Sequence, residues 1–162
     1  MNPAPPVYDA LDSLGIAYQR FEHPAVFTSE EADIHWRDLP GVRCKNLFLR
    51  NKKGNRHYLV ILEISKQADL KEIVALVNDD RLSFGSPERL MTELGLTPGS
   101  VSPFGLLNDS DGSVVVLVDE ELRGAPGLIF HPNINTASVV ISWDGLERFL
   151  KSRSNPVRYI GI

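Results

Sequence analysis

The chain has 162 residues, 43% of them hydrophobic and 23% charged, a composition that suits one ordinary globular domain (1–162) and argues against two. Its longest apolar runs, such as 114–118, are far shorter than the ~20 residues of a membrane-spanning helix, and the first residues lack a signal-peptide pattern, so we expect a cytoplasmic protein with no membrane partner. A net charge of −4 argues against a nonspecific binder of nucleic acid such as DNA, and a single cysteine excludes an internal disulfide or a Cys-based metal site.

The first half of the chain is predicted to contain two helices, a strand and a β-hairpin. Apolar residues recur at helical spacing between residues 7 and 14, and Gly15 supplies a stop. Residues 17–22 are predicted to form a strand. Thr28 and Glu31 make a capping-box pattern, which predicts a helix over roughly 29–36. Two apolar runs, 45–50 and 57–63, flank a polar turn and predict the hairpin.

The second half alternates between short helices and strands. Helices are predicted over 69–77, from the Ser86 N-cap to Gly95, and near 144–152. Strands are predicted at 81–84, 113–119, 128–131 and 136–142, and the segment 97–108, with two prolines and two glycines, is predicted to be a structured loop. Several strands look antiparallel, so we expect an α/β (α+β) fold: a mixed, strongly twisted sheet or partial barrel surrounded by helices.

Positive charge is concentrated in two segments that contain no Asp or Glu. The first, 39–62, carries six basic residues, and the second, 148–162, carries four. Such segments could hold a polyanion at one defined place, although lysine-rich loop tips are often simply solvated. The basic residues of the first segment are Arg43, Lys45, Arg50, Lys52, Lys53 and Arg56.

Common catalytic signatures are missing from the sequence. There is no nucleophile elbow, P-loop, dinucleotide fingerprint or zincin motif, and the four histidines lack metal-ligand spacing, so we expect no metal and no cofactor. Cys44 lies between Arg43 and Lys45, and neighbouring cations favour a thiolate. If Lys45 begins a strand, however, Cys44 and Lys45 face opposite sides and do not share a pocket, which favours a buried structural thiol.

Two further features could contribute to a site. His131 ends a predicted strand, where a histidine is usually structural but can also exchange hydrogen bonds near neutral pH. The run Gly99 to Pro103 has the pattern G-x-x-x-P, in which glycine permits close approach of the backbone to a ligand and proline stiffens the loop. Without context that run is an ordinary turn.

Five ordered motifs together resemble a known family. They are EHPAVFT (22–28), KNLFLR (45–50), LSFGSPE (82–88), GSVSPFG (99–105) and FHPN (130–133). The set closely resembles the freestanding prolyl-tRNA editing proteins, relatives of the editing domain inserted in bacterial prolyl-tRNA synthetases, within the YbaK-like aminoacyl-tRNA deacylase superfamily. The resemblance covers about residues 23–150 and implies the editing-domain fold.

The resemblance implies a hydrolase that removes a wrong amino acid from tRNA, with alanyl-tRNA(Pro) as the best-matching substrate. It places the family's essential lysine at Lys45, its active-site histidine at His131 and its substrate loop at Gly99, Ser100, Val101, Ser102 and Pro103. We also expect Asn46, next to the lysine, to bind the substrate. We expect Arg43, Arg50, Lys52, Lys53 and Arg56 to contact the acceptor end of tRNA(Pro).

The implied chemistry needs neither a protein nucleophile nor a metal, because the ribose 2′-hydroxyl helps water to attack the ester. Selectivity would be steric, in a pocket that admits alanine and excludes proline. Three alternatives stay open: deacylation of cysteinyl-tRNA(Pro), deacylation of a seryl- or threonyl-tRNA, and a noncatalytic tRNA-binding module. Transient contact with prolyl-tRNA synthetase or an elongation factor is also left open.

Overall fold

A computed structural model describes residues 2–162. Over this range the chain forms five α-helices and eight strands. The helices are α1 (Ala4–Ser13), α2 (Ser29–Trp36), α3 (Leu70–Val77), α4 (Pro87–Leu94) and α5 (Trp143–Lys151). The strands are β1 (Tyr18–Glu22), β2 (Val42–Asn51), β3 (His57–Glu63), β4 (Leu82–Phe84), β5 (Val115–Asp119), β6 (Leu128–Phe130), β7 (Ala137–Ile141) and β8 (Val157–Ile160).

All eight strands belong to one mixed sheet. Its order is β1-β7-β6-β2-β3-β5-β8, and β4 pairs with β2 outside this path. The β2–β3, β2–β4, β1–β7 and β6–β7 pairs are antiparallel, whereas β2–β6, β3–β5 and β5–β8 are parallel. The predicted α/β fold with a mixed sheet is therefore confirmed.

Strand β2 is shared between two halves of the sheet. It pairs with β6 only through Val42 and Arg43, and with β4 only through 49–51, while β3 accompanies it from Cys44 to Arg50. The edge of β2 that faces away from β3 is therefore paired at its two ends and open between them. This opening positions the candidate site.

The core lies on both faces of the sheet, and local signals fix the helices that cover it. One cluster packs α1, α4 and α5 against one face, and a second packs α3 against the other. The Thr28 side chain accepts a hydrogen bond from Glu31 N–H at the start of α2, and Ser86 accepts one from Arg89 N–H at the start of α4. The capping predictions at both positions are confirmed, because these side chains satisfy backbone donors that lack a partner within the helix.

Several element boundaries differ from the predictions by one or a few residues. Strand β2 begins at Val42 instead of residue 45, because its first residues pair with β6, a contact that the local pattern does not reveal. Helix α5 begins at Trp143, β4 begins at Leu82 instead of residue 81, and the loop 97–108 contains two 3-10 turns, Pro98–Ser100 and Pro103–Asn108.

Strand β8 was not predicted. Its four residues alternate only over Val157, Arg158 and Tyr159, which is too short a pattern to predict a strand. It is formed by parallel pairing with β5, where Val116 N–H donates to Pro156 O at 2.8 Å. Among residues 2–162, no helix combines the length and the apolarity that crossing a membrane requires.

Candidate active site

A small cleft opens where β2 and β6 separate. Its volume is about 130 Å³, and its walls come from β2, α2, the first 3-10 turn and the residue that follows β6. Clefts for drug-sized ligands measure roughly 300–1,000 Å³, so this one fits only a small group. The residues that border it are Phe27, Thr28, Ala32, Trp36, Cys44, Lys45, Asn46, Leu47, Ile64, Pro98, Gly99, Val101 and His131.

The open edge of β2 presents backbone groups to the cleft. Val42 N–H donates to Gly127 O, and Phe48 O accepts from Gly85 N–H, both on the edge opposite β3. Because backbone groups alternate between the two edges of a strand, the N–H and C=O of Asn46 point to the same side, between those two pairings. The Asn46 side-chain oxygen Oδ1 is also buried, without a hydrogen-bond partner among the described residues. A ligand could satisfy these groups.

Lys45 supplies positive charge at the same wall. Its side chain is half-buried, and no ion pair to a described carboxylate neutralises it. A half-buried ammonium without a carboxylate partner can bind an anionic or strongly polar group on a ligand.

His131 is held as a neutral hydrogen-bond acceptor. Its Nδ1 lies 3.1 Å from Ala137 O, and a carbonyl only accepts, so Nδ1 carries the proton and Nε2 is left as an acceptor. Burial is the main cause that lowers the pKa of His131 to about 4, with a further lowering by His23 and an opposing effect from the Ala137 hydrogen bond. The ring is therefore uncharged at neutral pH.

A buried network supports His131 and the adjacent wall. The Trp36 ring lies 5.1 Å from the His131 ring, and the Trp36 indole N–H donates to Ser138 Oγ. His23 Nδ1 donates to Pro24 O, and its Nε2 forms a hydrogen bond with Ser138 Oγ at 2.8 Å. Ser138 thus links the two aromatic side chains and fixes the indole as a rigid wall of the cleft.

The G-x-x-x-P loop contributes only part of its length to the cleft. Gly99 and Val101 border it, whereas Ser100, Ser102 and Pro103 are buried behind it. Ser102 Oγ donates to Asn133 Oδ1 at 2.8 Å and accepts from Phe104 N–H, which anchors the loop to the β6–β7 connection. These three residues shape the loop instead of facing a ligand.

Cys44 borders the cleft, which corrects the expectation that it and Lys45 would not share a pocket. Alternation separates two side chains across the faces of a strand, but this cleft lies at the edge of β2, and residues from both faces of the strand border it. Burial is the main cause that raises the pKa of the Cys44 thiol to about 12; a hydrogen bond from the Ile129 backbone opposes this effect, and Glu63 adds to it. The thiol is thus protonated at neutral pH, as its predicted structural role requires.

The predicted tRNA-binding residues lie in two places. Arg43 is paired with Asp33 of α2. Four basic residues surround the β2–β3 turn and are called the basic hairpin tip below: Arg50, Lys52, Lys53 and Arg56. Six residues of strand β2 lie between Lys45 and Lys52, so the two are roughly 20 Å apart along the chain.

Hydrogen bonds hold the backbone of the basic hairpin tip, and one acidic residue, Asp80, adjoins it. Arg50 is half-buried and donates to Lys52 O at 3.1 Å, while Lys52 N–H donates to Asp80 Oδ1 at 2.6 Å. Arg89 of α4 lies against this tip and donates to Gly54 O at 3.1 Å. Sequence reasoning missed Arg89 because its helix joins the hairpin only in the folded chain.

Other residues at the site were also missed as functional candidates. Phe27 and Trp36 line the cleft, and Asn133 and Ser138 support it from behind. Phe27 lies within the motif EHPAVFT and Asn133 within FHPN, so membership of these motifs was the signal that could have identified them. Trp36 and Ser138 gave none, because a buried tryptophan and serine are ordinary core residues.

Comparison with known proteins identifies the family. Residues 23–149 match the family described as "Aminoacyl-tRNA editing domain". The chain belongs to the aminoacyl-tRNA editing domain family. Prolyl-tRNA editing protein ProX of Acetoanaerobium sticklandii is 40% identical over 162 residues, which cover 100% of this chain and 99% of that protein.

Two further similarities agree with this family. Prolyl-tRNA synthetase associated domain-containing protein 1 of Danio rerio is 35% identical over 143 residues, covering 87% of this chain and 77% of that protein. A crystal structure described as that of a candidate trans-editing enzyme for prolyl tRNA synthetase superposes with a TM-score of 0.75 at 23% identity, covering 100% of this chain and 98% of the other. The resemblance to freestanding prolyl-tRNA editing proteins and the editing-domain fold are both confirmed.

The depressed pKa of His131 predicts a pH-dependent stability. The pKa of His131 is about 6.5 in the unfolded chain and about 4 in the folded chain, so the unfolded chain binds the proton more readily. The neutral ring therefore contributes its full stabilisation above pH 6.5, and this stabilisation is lost as the pH falls towards 4. Between pH 7 and 4.5 we expect the wild type to lose roughly 2 kcal/mol more unfolding free energy than His131→Asn, which does not titrate. Denaturant unfolding at both pH values measures this, and equal losses would contradict the assignment.

Proposed function

We propose that this protein is a trans-editing hydrolase that deacylates mischarged alanyl-tRNA(Pro). The family and the full-length relative named as a prolyl-tRNA editing protein support the editing activity. The observation that carries the proposal is the small cleft, in which Lys45, Asn46 and His131 meet the Gly99 backbone.

The reaction is hydrolysis of an ester at the 3′ end of the tRNA. Water adds to the carbonyl carbon, negative charge develops on the carbonyl oxygen, and the bond to the ribose oxygen breaks as that oxygen takes up a proton. The products are free alanine and uncharged tRNA. Such an ester is already activated, so the protein needs chiefly to position the reactants and stabilise the developing charge.

Lys45 and Asn46 are proposed to bind the substrate's polar groups. The Lys45 ammonium can make charge-assisted hydrogen bonds to the terminal phosphate or to the ester. Asn46 Oδ1, buried and unpartnered among the described residues, can accept from the α-ammonium of the amino acid. The backbone at Gly99 is proposed to orient the carbonyl and the attacking water.

His131 is proposed to orient the ribose 2′-hydroxyl. A group with a pKa of about 4 is a weak base at neutral pH. Its Nε2 can nevertheless accept a hydrogen bond from that hydroxyl and fix its direction, which leaves the hydroxyl oxygen free to accept from the attacking water. The proposed role is therefore positioning through a neutral ring.

Steric selection against proline is proposed to depend on a wall of the cleft that is held in place. The hydrogen bond from Trp36 to Ser138 holds the indole that forms one wall of the cleft, so this wall does not move easily. The volume of the cleft is about 130 Å³. A synthetase pocket built for proline discriminates weakly against a smaller alanine, because one methylene is worth only about 1–3 kcal/mol. A second, smaller pocket that rejects proline by its size would complete the selection.

The first test is a deacylation panel with Ala-, Cys-, Ser- and Pro-tRNA(Pro). We expect turnover of Ala-tRNA(Pro) and none of Pro-tRNA(Pro), unaffected by EDTA and changed little by Cys44→Ala. Lys45→Ala should lower the rate on the order of 10²-fold or more, because it removes the cation beside the ester. Release of radiolabelled amino acid measures each rate.

Controls separate this proposal from its alternatives. Lys151→Ala removes an exposed lysine from α5 and should keep full activity, and thermal unfolding should show that Lys45→Ala is folded. Turnover of Cys-tRNA(Pro) with none of Ala-tRNA(Pro) would reassign the substrate. Full activity of Lys45→Ala would refute the mechanism, and wild-type binding without turnover would indicate a noncatalytic module.

Two substitutions at His131 test its proposed orientation. Gln places an amide group near the position of Nε2, whereas Asn places one near Nδ1. Since Nε2 is the atom available to the cleft, His131→Gln should retain about tenfold more activity than His131→Asn. Both variants should show the wild-type rate profile between pH 6 and 8, and a higher rate for Asn than for Gln would contradict the assignment.

The basic hairpin tip is proposed to contact the acceptor-stem backbone. Replacing Lys52 and Lys53 together with Gln should raise KM for Ala-tRNA(Pro) and leave kcat unchanged, because phosphate contacts bind without reacting. The slope of log KM against log salt should fall by roughly 1–2. Lys151→Gln provides the matched control, and an unchanged slope in the double variant would place the RNA elsewhere.

A further inference from the structure

The motif EHPAVFT leaves one large apolar side chain in solvent at the mouth of the cleft. Phe27 is 69% exposed although it borders the cleft. The other aromatic rings on that border, Trp36 and His131, are buried. An isolated exposed hydrophobe is unremarkable on a protein surface, but this one lies beside a ligand cleft.

The backbone around Phe27 is fixed on both sides. Val26 N–H donates to Asn135 O at 3.2 Å, and the Asn135 side-chain amide donates back to Val26 O at 2.9 Å. Phe27 N–H itself donates to the Glu31 carboxylate at 3.0 Å. The exposed ring is therefore presented by an anchored segment and not by a free loop tip.

Gly99 forms the surface beneath the ring. A Cβ at that position would lie 3.3 Å from Phe27 Cδ1, so the absence of a side chain lets the ring lie close to the loop backbone. One edge of the phenyl group contacts the proposed substrate loop while most of its surface faces water.

The dimensions of the cleft determine what reaches this ring. A volume of about 130 Å³ holds the aminoacyl group and not the nucleoside attached to it. If the ester lies beside Gly99 and Lys45, the ribose lies at the mouth of the cleft and the terminal base lies outside the cleft, against its rim. Phe27 is the exposed aromatic of that rim, and aromatic rings are the surfaces on which proteins stack unpaired bases.

We propose that Phe27 is a stacking platform for the 3′-terminal nucleobase of the aminoacyl-tRNA. This inference rests on the proposed function and extends it from the ester to the base. Stacking holds the terminal nucleoside at the mouth of the cleft and so fixes the ester relative to Lys45. It also explains why an anchored segment displays a phenyl ring to solvent.

The chain offers a matched control. Phe84 is 63% exposed, nearly as much as Phe27, but it lies on β4 and does not border the cleft. Replacing either residue with Leu keeps an apolar side chain of similar size and removes the aromatic face. The pair therefore separates stacking from loss of hydrophobic surface.

The experiment uses an RNA minihelix that carries the tRNA(Pro) acceptor stem and ends in 2-aminopurine, linked to alanine through a stable amide. The fluorescence of 2-aminopurine falls when the base stacks. We expect quenching by the wild type, Phe27→Tyr and Phe84→Leu, and little quenching by Phe27→Leu at saturating protein. With Ala-tRNA(Pro), Phe27→Leu should raise KM about tenfold with kcat nearly unchanged, as the loss of one base–aromatic stack predicts.

The outcomes separate this proposal from the function on which it rests. Equal quenching by the wild type and Phe27→Leu, equal effects of Phe27→Leu and Phe84→Leu, or no quenching by the wild type would each overturn the stacking role while deacylation stands. Quenching that depends on Phe27 in a protein that hydrolyses no aminoacyl-tRNA would support the platform and refute the proposed function.

Discussion

The pairing of β2 is the constraint on which the site depends. The strand stays with β3 along most of its length but leaves β6 after Arg43 and meets β4 only at Leu49. The intervening edge keeps its backbone donors and acceptors without strand partners, a condition that sheets normally avoid by covering or charging the edge. Here α2 and the first 3-10 turn cover it incompletely, and Lys45 charges it. The cleft is the remaining opening, so its location follows from the topology of the sheet.

The β6–β7 connection fixes the G-x-x-x-P loop, the segment that carries Phe27 and His131 relative to one another. Asn133, with φ of +65°, exchanges hydrogen bonds with the G-x-x-x-P loop, and Asn135 exchanges them with the segment that carries Phe27. His131 begins the same connection and is held by Ala137 at its other end. The β6–β7 connection thus holds three surfaces of the cleft in position. A hydrolase that relies on positioning requires such rigidity, since small displacements of reacting groups lower the rate steeply.

Sequence reasoning recovered most of the fold because its signals are local. The capping residues of α2 and α4 and the polar turn of the hairpin each act within a few residues of the element that they define. Strand β8 and the first residues of β2 escaped because they form only through parallel pairing with distant strands. At the site, Lys45, Gly99 and His131 emerged from the ordered motifs, whereas the support of Trp36 by Ser138 joins residues 102 positions apart. The misplacement of Cys44 has the same origin, because alternation along β2 cannot reveal that the cleft lies at the edge of the strand.

The residues of the cleft share a property that stability alone does not explain. Lys45 is half-buried without a described carboxylate partner, Asn46 Oδ1 is buried without a described donor, and Phe27 exposes most of its ring. An unsatisfied buried polar atom costs about 1–3 kcal/mol, and departures from local rules of this kind concentrate where a protein binds its ligand. Under the proposed function a single substrate relieves all three, because the ester or phosphate meets the ammonium, the α-ammonium meets the amide oxygen and the base covers the phenyl ring. Binding energy from the amide oxygen and the phenyl ring lies away from the scissile bond and can therefore be used to orient it.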